Sequence, residues 1–225
     1  MMMSKCGKTP RDYKKQYLIL GEGTTEQNFF YHLLKKNNLL DNYTTDYAGG
    51  FDNLVNYLES IKNSEDFIDN VKAVLLVADN DDINGSNRFD ILQSRLRNTN
   101  CWGIPDTPLQ LVDAIESNLP KLAIMMLPEA GKDGNIETLC LESALHKWPD
   151  IKDPLNIYIN QSPAATWNIS QISVAKMECL LGAVCKDKPE HSLHNIFYYD
   201  LSDKYVPLNH PCFEQIIQYL KTFSS

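Results

Sequence analysis

The run Lys72-Ala-Val-Leu-Leu-Val-Ala78 places six apolar residues in a row with no alternation of character. Six residues have strand length, far below the roughly 18 that a membrane span needs. A strand apolar on both faces must be covered on both faces, which is the situation of a parallel sheet flanked by helices. The run stops abruptly at Asp79-Asn-Asp-Asp82. Neighbouring segments fit the same architecture. Tyr17-Leu-Ile-Leu-Gly21 reads as a buried strand broken by Gly21-Glu-Gly23. A helix follows, with Thr24 and Gln27 as a capping box and Phe29, Phe30, Leu33 and Leu34 at helical spacing. Tyr43–Tyr47 is a second strand, closed by Ala48-Gly-Gly50, and Phe51–Lys62 an amphipathic helix through Leu54, Val55, Leu58 and Ile61. Phe89–Leu96 is a further helix, and Leu122–Leu127 a strand ended by Pro128. Strand and helix alternating in this way predict an α/β fold, a Rossmann-like, largely parallel sheet with crossover helices.

Beyond the last strand the pattern turns helical, over Ile136–His146, Ile172–Cys185 and Phe213–Phe223, with Pro105–Pro108 and Pro149–Pro163 as loops. The expected organisation is one domain over 17–225, with a mostly helical C-terminal extension from about residue 129. Residues 1–16 are expected to form a mobile basic arm. The length of 225 residues sits at the upper edge of a single domain, and 43% hydrophobic residues suffice for a core. The net charge of −8 excludes binders that hold nucleic acid by bulk positive charge. It leaves room for an enzyme that reaches phosphate through a metal ion. No apolar stretch suits a membrane or a secretory signal, and the six cysteines include no CxxC pair. Reduced thiols in a cytoplasmic protein are therefore expected, and neither a disulfide framework nor a zinc site is supported. His191 and His194 lack a partner at ligand spacing, and HExxH, GxSxG and GxxxxGK[ST] are absent.

Ligands of open α/β sheets collect at the carboxyl ends of the strands. Two of the apolar strands end in acids there: Glu22 after the first, and Asp79 and Asp81, with Asp82 beside them, after the third. If these strands are adjacent, the carboxylates converge, and carboxylates that close repel unless protonated or bridged by a cation. Oxygen-only ligation suits Mg²⁺ or Mn²⁺, which leave coordination positions for substrate phosphate. The chemistry indicated is phosphoryl transfer or phosphodiester cleavage, with Glu22 as ligand, general base, or both. Each motif alone can equally be a plain turn or a solubilising loop. A calcium loop starting at Asn80 fails because its twelfth residue is Ile91. Asp79-Asn-Asp81-Asp-Ile83 nearly matches the haloacid-dehalogenase phosphatase motif, which normally ends the first strand rather than the third.

Glu22 in LILGEGTTEQNFF, with Asp79 and Asp81 in AVLLVADND, resembles the Toprim domain of topoisomerases, primases and related nucleases. The likeness extends to a small Toprim-like bacterial and archaeal family of unknown function. Its motifs are matched by Gly21–Glu26, by Asp79–Asp81, and by the Pro-ended strand and Gly-x-x-Glu helix of MMLPEAGKDGNIETLCL. A block with Lys176, Leu180 and Pro189, then Tyr198–Asp200, is also similar, so most of the chain is covered. The resemblance implies a Toprim-like fold with Glu22, Asp79 and Asp81 as metal and catalytic carboxylates. Glu26, Asp82, Glu137 and Lys176 are auxiliary candidates, the last two by similarity to Toprim nucleases of the OLD type. Glu26 and Glu137 also sit where a first-turn acid simply favours the helix dipole, and Lys176 reads equally as a solvated helix residue. No zinc module, helicase or ATPase segment accompanies these motifs.

The function this predicts is a Mg²⁺- or Mn²⁺-dependent phosphodiesterase or nuclease acting on DNA or RNA. Lys5, Lys8, Arg11, Lys14 and Lys15 could track a phosphate backbone, and Tyr198, Tyr199 and Tyr205 could stack bases, although aromatics so spaced are usually core. The alternative is a non-catalytic module binding a nucleotide, metal or protein on the same scaffold. A hydrolase of small phosphates is a third possibility.

Overall fold

The computed structural model describes residues 13–82 and 87–224. Four strands, β1 (Tyr17–Gly21), β2 (Tyr43–Tyr47), β3 (Ala73–Asp79) and β4 (Lys121–Leu127), form one parallel sheet in the order β2-β1-β3-β4. Helices α1 (Thr24–Lys36), α2 (Leu54–Ile61), α3 (Glu65–Asn70) and α4 (Arg88–Arg97) connect them. After β4 all described elements are helical: α5 (Ile136–Lys147), α6 (Lys152–Asn160), α7 (Ile169–Val184), α8 (Leu193–Tyr198), α9 (Ser202–Tyr205) and α10 (Glu214–Phe223), with short 3-10 turns between them. Among the described residues, no helix is long and apolar enough to cross a membrane.

The apolar runs are explained by two cores, one on each face. Leu18, Leu20, Val74, Leu76, Ala78, Leu122, Ile124 and Met126 point toward α2, α3 and α4. Ile19, Leu75, Val77, Ala123, Met125 and Leu127 point toward α1, α5, α7, α8 and α10. Side chains alternate across a strand, so a central strand covered on both sides has no position to spare for a polar residue. Residues 74–78 of β3 are accordingly fully buried.

Several expectations are corrected. The N-cap of α1 is Gly23 rather than Thr24. Glycine offers no side chain to cap with, and the Glu26 carboxylate accepts the Gly23 N–H at 2.7 Å instead. The Pro149–Pro163 segment contains α6, whose Leu155 and Ile159 are buried. Of the residues expected to form a mobile arm, Tyr13 is buried and donates its hydroxyl to Asp46 at 2.9 Å, and the Lys15 ammonium donates to the Leu40 carbonyl at 2.7 Å. Lys5, Lys8 and Arg11 lie outside the described residues. Tyr205 is core, whereas Tyr198 and Tyr199 are exposed.

Candidate functional site

Strands β1 and β3 are hydrogen-bonded neighbours, with Leu20 level with Leu76, so their carboxyl ends open at the same edge. Glu22 leaves β1 there, and its Oε1 accepts the backbone N–H of Asp79 at 2.9 Å. Gly21 is required by close approach: a Cβ at this position would lie 2.6 Å from the Cβ of Glu26. Helix α1 therefore starts tight against the strand end and brings the buried Glu26 into the same neighbourhood.

The acidic segment after β3 is fixed residue by residue. Asp79 Oδ1 accepts the N–H of Ile136, the first residue of α5, at 3.0 Å, a position where a helix terminus favours negative charge. Asn80 donates its side-chain amide to the carbonyls of Glu129 and Lys132, both at 2.7 Å, and anchors the β4–α5 loop. Asp81 exchanges two backbone hydrogen bonds with Gly134 at 2.8 and 2.9 Å and adopts a positive φ of 55°. Asp79 and Asp81 consequently turn different ways, one toward α5 and the other toward α4.

Arg88, the first residue of α4, joins the strand ends from above. Its guanidinium reaches Glu22 Oε2 at 3.0 Å and Asp81 Oδ2 at 2.5 Å and lies 3.9 Å over the Phe51 ring. Sequence reasoning missed this residue. The available signal was a lone arginine at a helix start after the acidic loop, and only the fold shows that it faces Glu22.

The electrostatics of the cluster are those of crowded, desolvated acids. Burial is the main cause that raises Glu22 from 4.5 to about 7, with Arg88 and the Asp79 N–H opposing it and Glu26 and Asp81 adding to it. Asp79 is raised well above its ordinary range, first by burial and then by Glu26, Glu22, Glu137 and Asp81. Glu137, in the first turn of α5, is likewise raised to about 7 by burial, with contributions from Glu26, Glu178 and Asp81. Glu22, Glu26, Asp79, Asp81 and Glu137 thus share one electrostatic neighbourhood. A site of partly dehydrated oxygen donors carrying excess negative charge fits a hard divalent cation such as Mg²⁺ or Mn²⁺. Glu22, Asp79 and Asp81 are the residues that would hold it, but Asp79 is bonded toward α5 and Asp81 toward Arg88, so their carboxylates would have to rotate together to share one ion.

Lys176 stands apart: its ammonium donates to Asn156 Oδ1 at 2.7 Å and ties α7 to α6. Asp82 lies beside Asp81, and Ile83 of the phosphatase-like motif is outside the described residues.

The chain belongs to DUF3226, described as a protein family of unknown function, whose sequence model matches residues 16–225. No curated protein and no solved structure matches it.

Proposed function

We propose that this member of DUF3226 is a Mg²⁺- or Mn²⁺-dependent phosphodiesterase of Toprim type acting on nucleic acid. One observation carries the reading: β1 and β3 are neighbours, so Glu22 and the Asp79–Asp81 segment leave the same sheet edge, and Glu26 and Glu137 act electrostatically on these largely buried acids. A bound Mg²⁺ or Mn²⁺ would supply Lewis-acid polarisation of a phosphoryl oxygen. The chain's own residues would do the rest. Asp79, oriented by the α5 terminus, and Asp81, oriented by Gly134, would hold the ion. Glu22, at the end of β1 beside them, would share the ion or act as the general base. Arg88 is placed to receive a phosphate oxygen once it releases a carboxylate.

Nucleic acid is favoured over a small phosphate by the aromatic surface beside the cluster. Tyr198 and Tyr199 are 63% and 56% exposed, and they stack on His194 and His191 at 5.7 and 5.4 Å. His194 Nδ1 lies 3.1 Å from the Thr24 hydroxyl, in the first turn of α1 and two residues from Glu22. Exposed ring faces next to a phosphate-directed site suit unpaired bases. A second reading, a non-catalytic binding module, is favoured by Arg88, whose guanidinium engages both Glu22 and Asp81 and neutralises part of their charge.

The test is Mn²⁺ titration followed by electron paramagnetic resonance, then cleavage assays on single-stranded polynucleotide and on an aryl phosphate. Saturable binding that disappears in Asp79→Asn/Asp81→Asn is expected. Polynucleotide turnover should drop by about a hundredfold or more in Glu22→Gln with the fold intact. Equal weak Mn²⁺ binding by wild type and double variant would overturn the metal site. Binding without turnover of either substrate would favour the module.

A further inference from the structure

A second group of donors, chemically unlike the first, lies on the far stretch of α5. Glu142, His210 and Cys212 each offer one ligand atom, and the three atoms lie within 4.8 Å of one another. Glu142 comes from the middle of α5, and His210 and Cys212 flank Pro211 in the 3-10 turn that leads into α10. His146 is four residues after Glu142 and therefore on the same helix face, and its ring centroid is 4.8 Å from that of His210.

We propose that Glu142, His210 and Cys212 form a binding site for a borderline transition-metal ion, Zn²⁺ above all, that clips the C-terminal turn to α5. One thiolate, one imidazole and one carboxylate are the ligand types Zn²⁺ takes, at about 2.3, 2.0 and 2.1 Å respectively. Tetrahedral bonds of that length put ligand atoms roughly 3.3–3.8 Å apart. The observed spread of up to 4.8 Å closes by side-chain rotation of about 1 Å, well within the freedom of an exposed glutamate. The present bonds of the donors are weak ones to give up. Cys212 Sγ–H reaches the Leu139 carbonyl only at 3.7 Å, and His210 Nδ1 accepts the Cys212 N–H at 3.3 Å. Glu142 and Cys212 border a solvent-open cleft shared with Lys132, Asp133 and Gln215, which supplies an entry path. The fourth position is left to water or to His146.

This site differs in kind from the strand-end cluster. Sulfur and nitrogen donors discriminate against Mg²⁺, whereas the all-oxygen cluster suits hard ions such as Mg²⁺ and Mn²⁺. Its consequence is mechanical. The turn at 211–213 feeds α10, whose Leu220 carbonyl accepts the Tyr43 hydroxyl at 2.5 Å and whose Phe223 packs on Tyr17 and Tyr43. A metal clip at 142–212 would fasten that helix to α5.

The experiment is titration of the full chain with Co²⁺ under reducing conditions, monitoring the thiolate-to-metal charge-transfer band, followed by displacement with Zn²⁺ and thermal unfolding with and without it. One equivalent with a thiolate band is expected, together with a Zn²⁺-induced rise in Tm. In the Asp79→Asn/Asp81→Asn background both should persist, and adding Cys212→Ser or His210→Ala to that background should abolish both. Glu142 is exposed, so Glu142→Gln tests the site without threatening the fold, and a Zn²⁺ affinity loss of about tenfold or more is expected. Absence of a thiolate band in the wild type would overturn the site. So would a band that survives Cys212→Ser, or an affinity unchanged in Glu142→Gln.

Discussion

Arg88 holds two carboxylates that would otherwise face each other across the strand ends, and it does so from a partly buried position over Phe51. Removing it leaves Glu22 and Asp81 without their counter-charge. Arg88→Ala should therefore destabilise the metal-free protein by about 1.5–3 kcal/mol, the range for hydrogen bonds to charged groups. The same loss makes the cluster hungrier for a cation. Added Mn²⁺ should raise the urea midpoint more in the variant than in the wild type. Urea unfolding of both proteins with EDTA and with Mn²⁺ measures both effects, and equal Mn²⁺ increments would show that guanidinium and metal do not compete.

At the level of elements, the start of α5 does most of the positioning. Asn135 accepts the Thr138 N–H at 3.0 Å, and the Thr138 hydroxyl in turn bonds Ser173 on α7 at 2.9 Å. Asn135→Ala should cost about 1 kcal/mol, the usual loss of a helix cap, read as a lower Tm. Gly134 is more demanding. Its φ is +131°, and a Cβ there would meet Thr138 Oγ1 at 2.6 Å and Pro128 Cδ at 3.1 Å. Gly134→Ala should destabilise by about 1–3 kcal/mol and weaken Mn²⁺ binding, because its backbone bonds orient Asp81. A variant with lowered Tm but unaltered Mn²⁺ affinity would show that the Asp81 bridge is not needed for the site.

For the whole molecule, the crowded acids predict an unusual pH dependence. Glu22 and Glu137 stand at about 7 in the fold against an ordinary 4.5, so the native state holds more protons than the unfolded chain across that interval. Their contribution is fully present below about 4.5 and is lost as pH rises through about 7. Asp79 acts in the same direction. Asp200 has the opposite shift, held low by its hydrogen bond to Lys35, and titrates below this window. Metal-free protein should accordingly lose stability from pH 4.5 to 7, and Mn²⁺ should offset the loss increasingly toward the alkaline side. Unfolding midpoints across pH with EDTA and with Mn²⁺ check this, and a metal-free midpoint that rises over the interval would contradict the burial of the cluster.

The sequence alone determined the sheet and the acids at its edge. Strands β1, β3 and β4 were legible because burial on both faces leaves an uninterrupted apolar run, the edge strand β2 because Ala48-Gly-Gly50 closes it, and Glu22, Asp79 and Asp81 because polar residues end the apolar runs abruptly. Helix α6 was not legible, since Pro154 and Pro163 mimic a loop and its buried side is only Leu155 and Ile159. Tertiary structure decided everything that depends on which distant segments meet. Arg88 became a partner of Glu22 only because α4 begins above the β1–β3 edge. His210 and Cys212, spaced for no familiar metal motif, met Glu142 only because the 3-10 turn docks on α5. Tyr198 and Tyr205 have the same side chain, yet one is exposed and the other is core. Local pattern fixes which face of an element is apolar, but the neighbour that face meets is set by the packing of the whole chain.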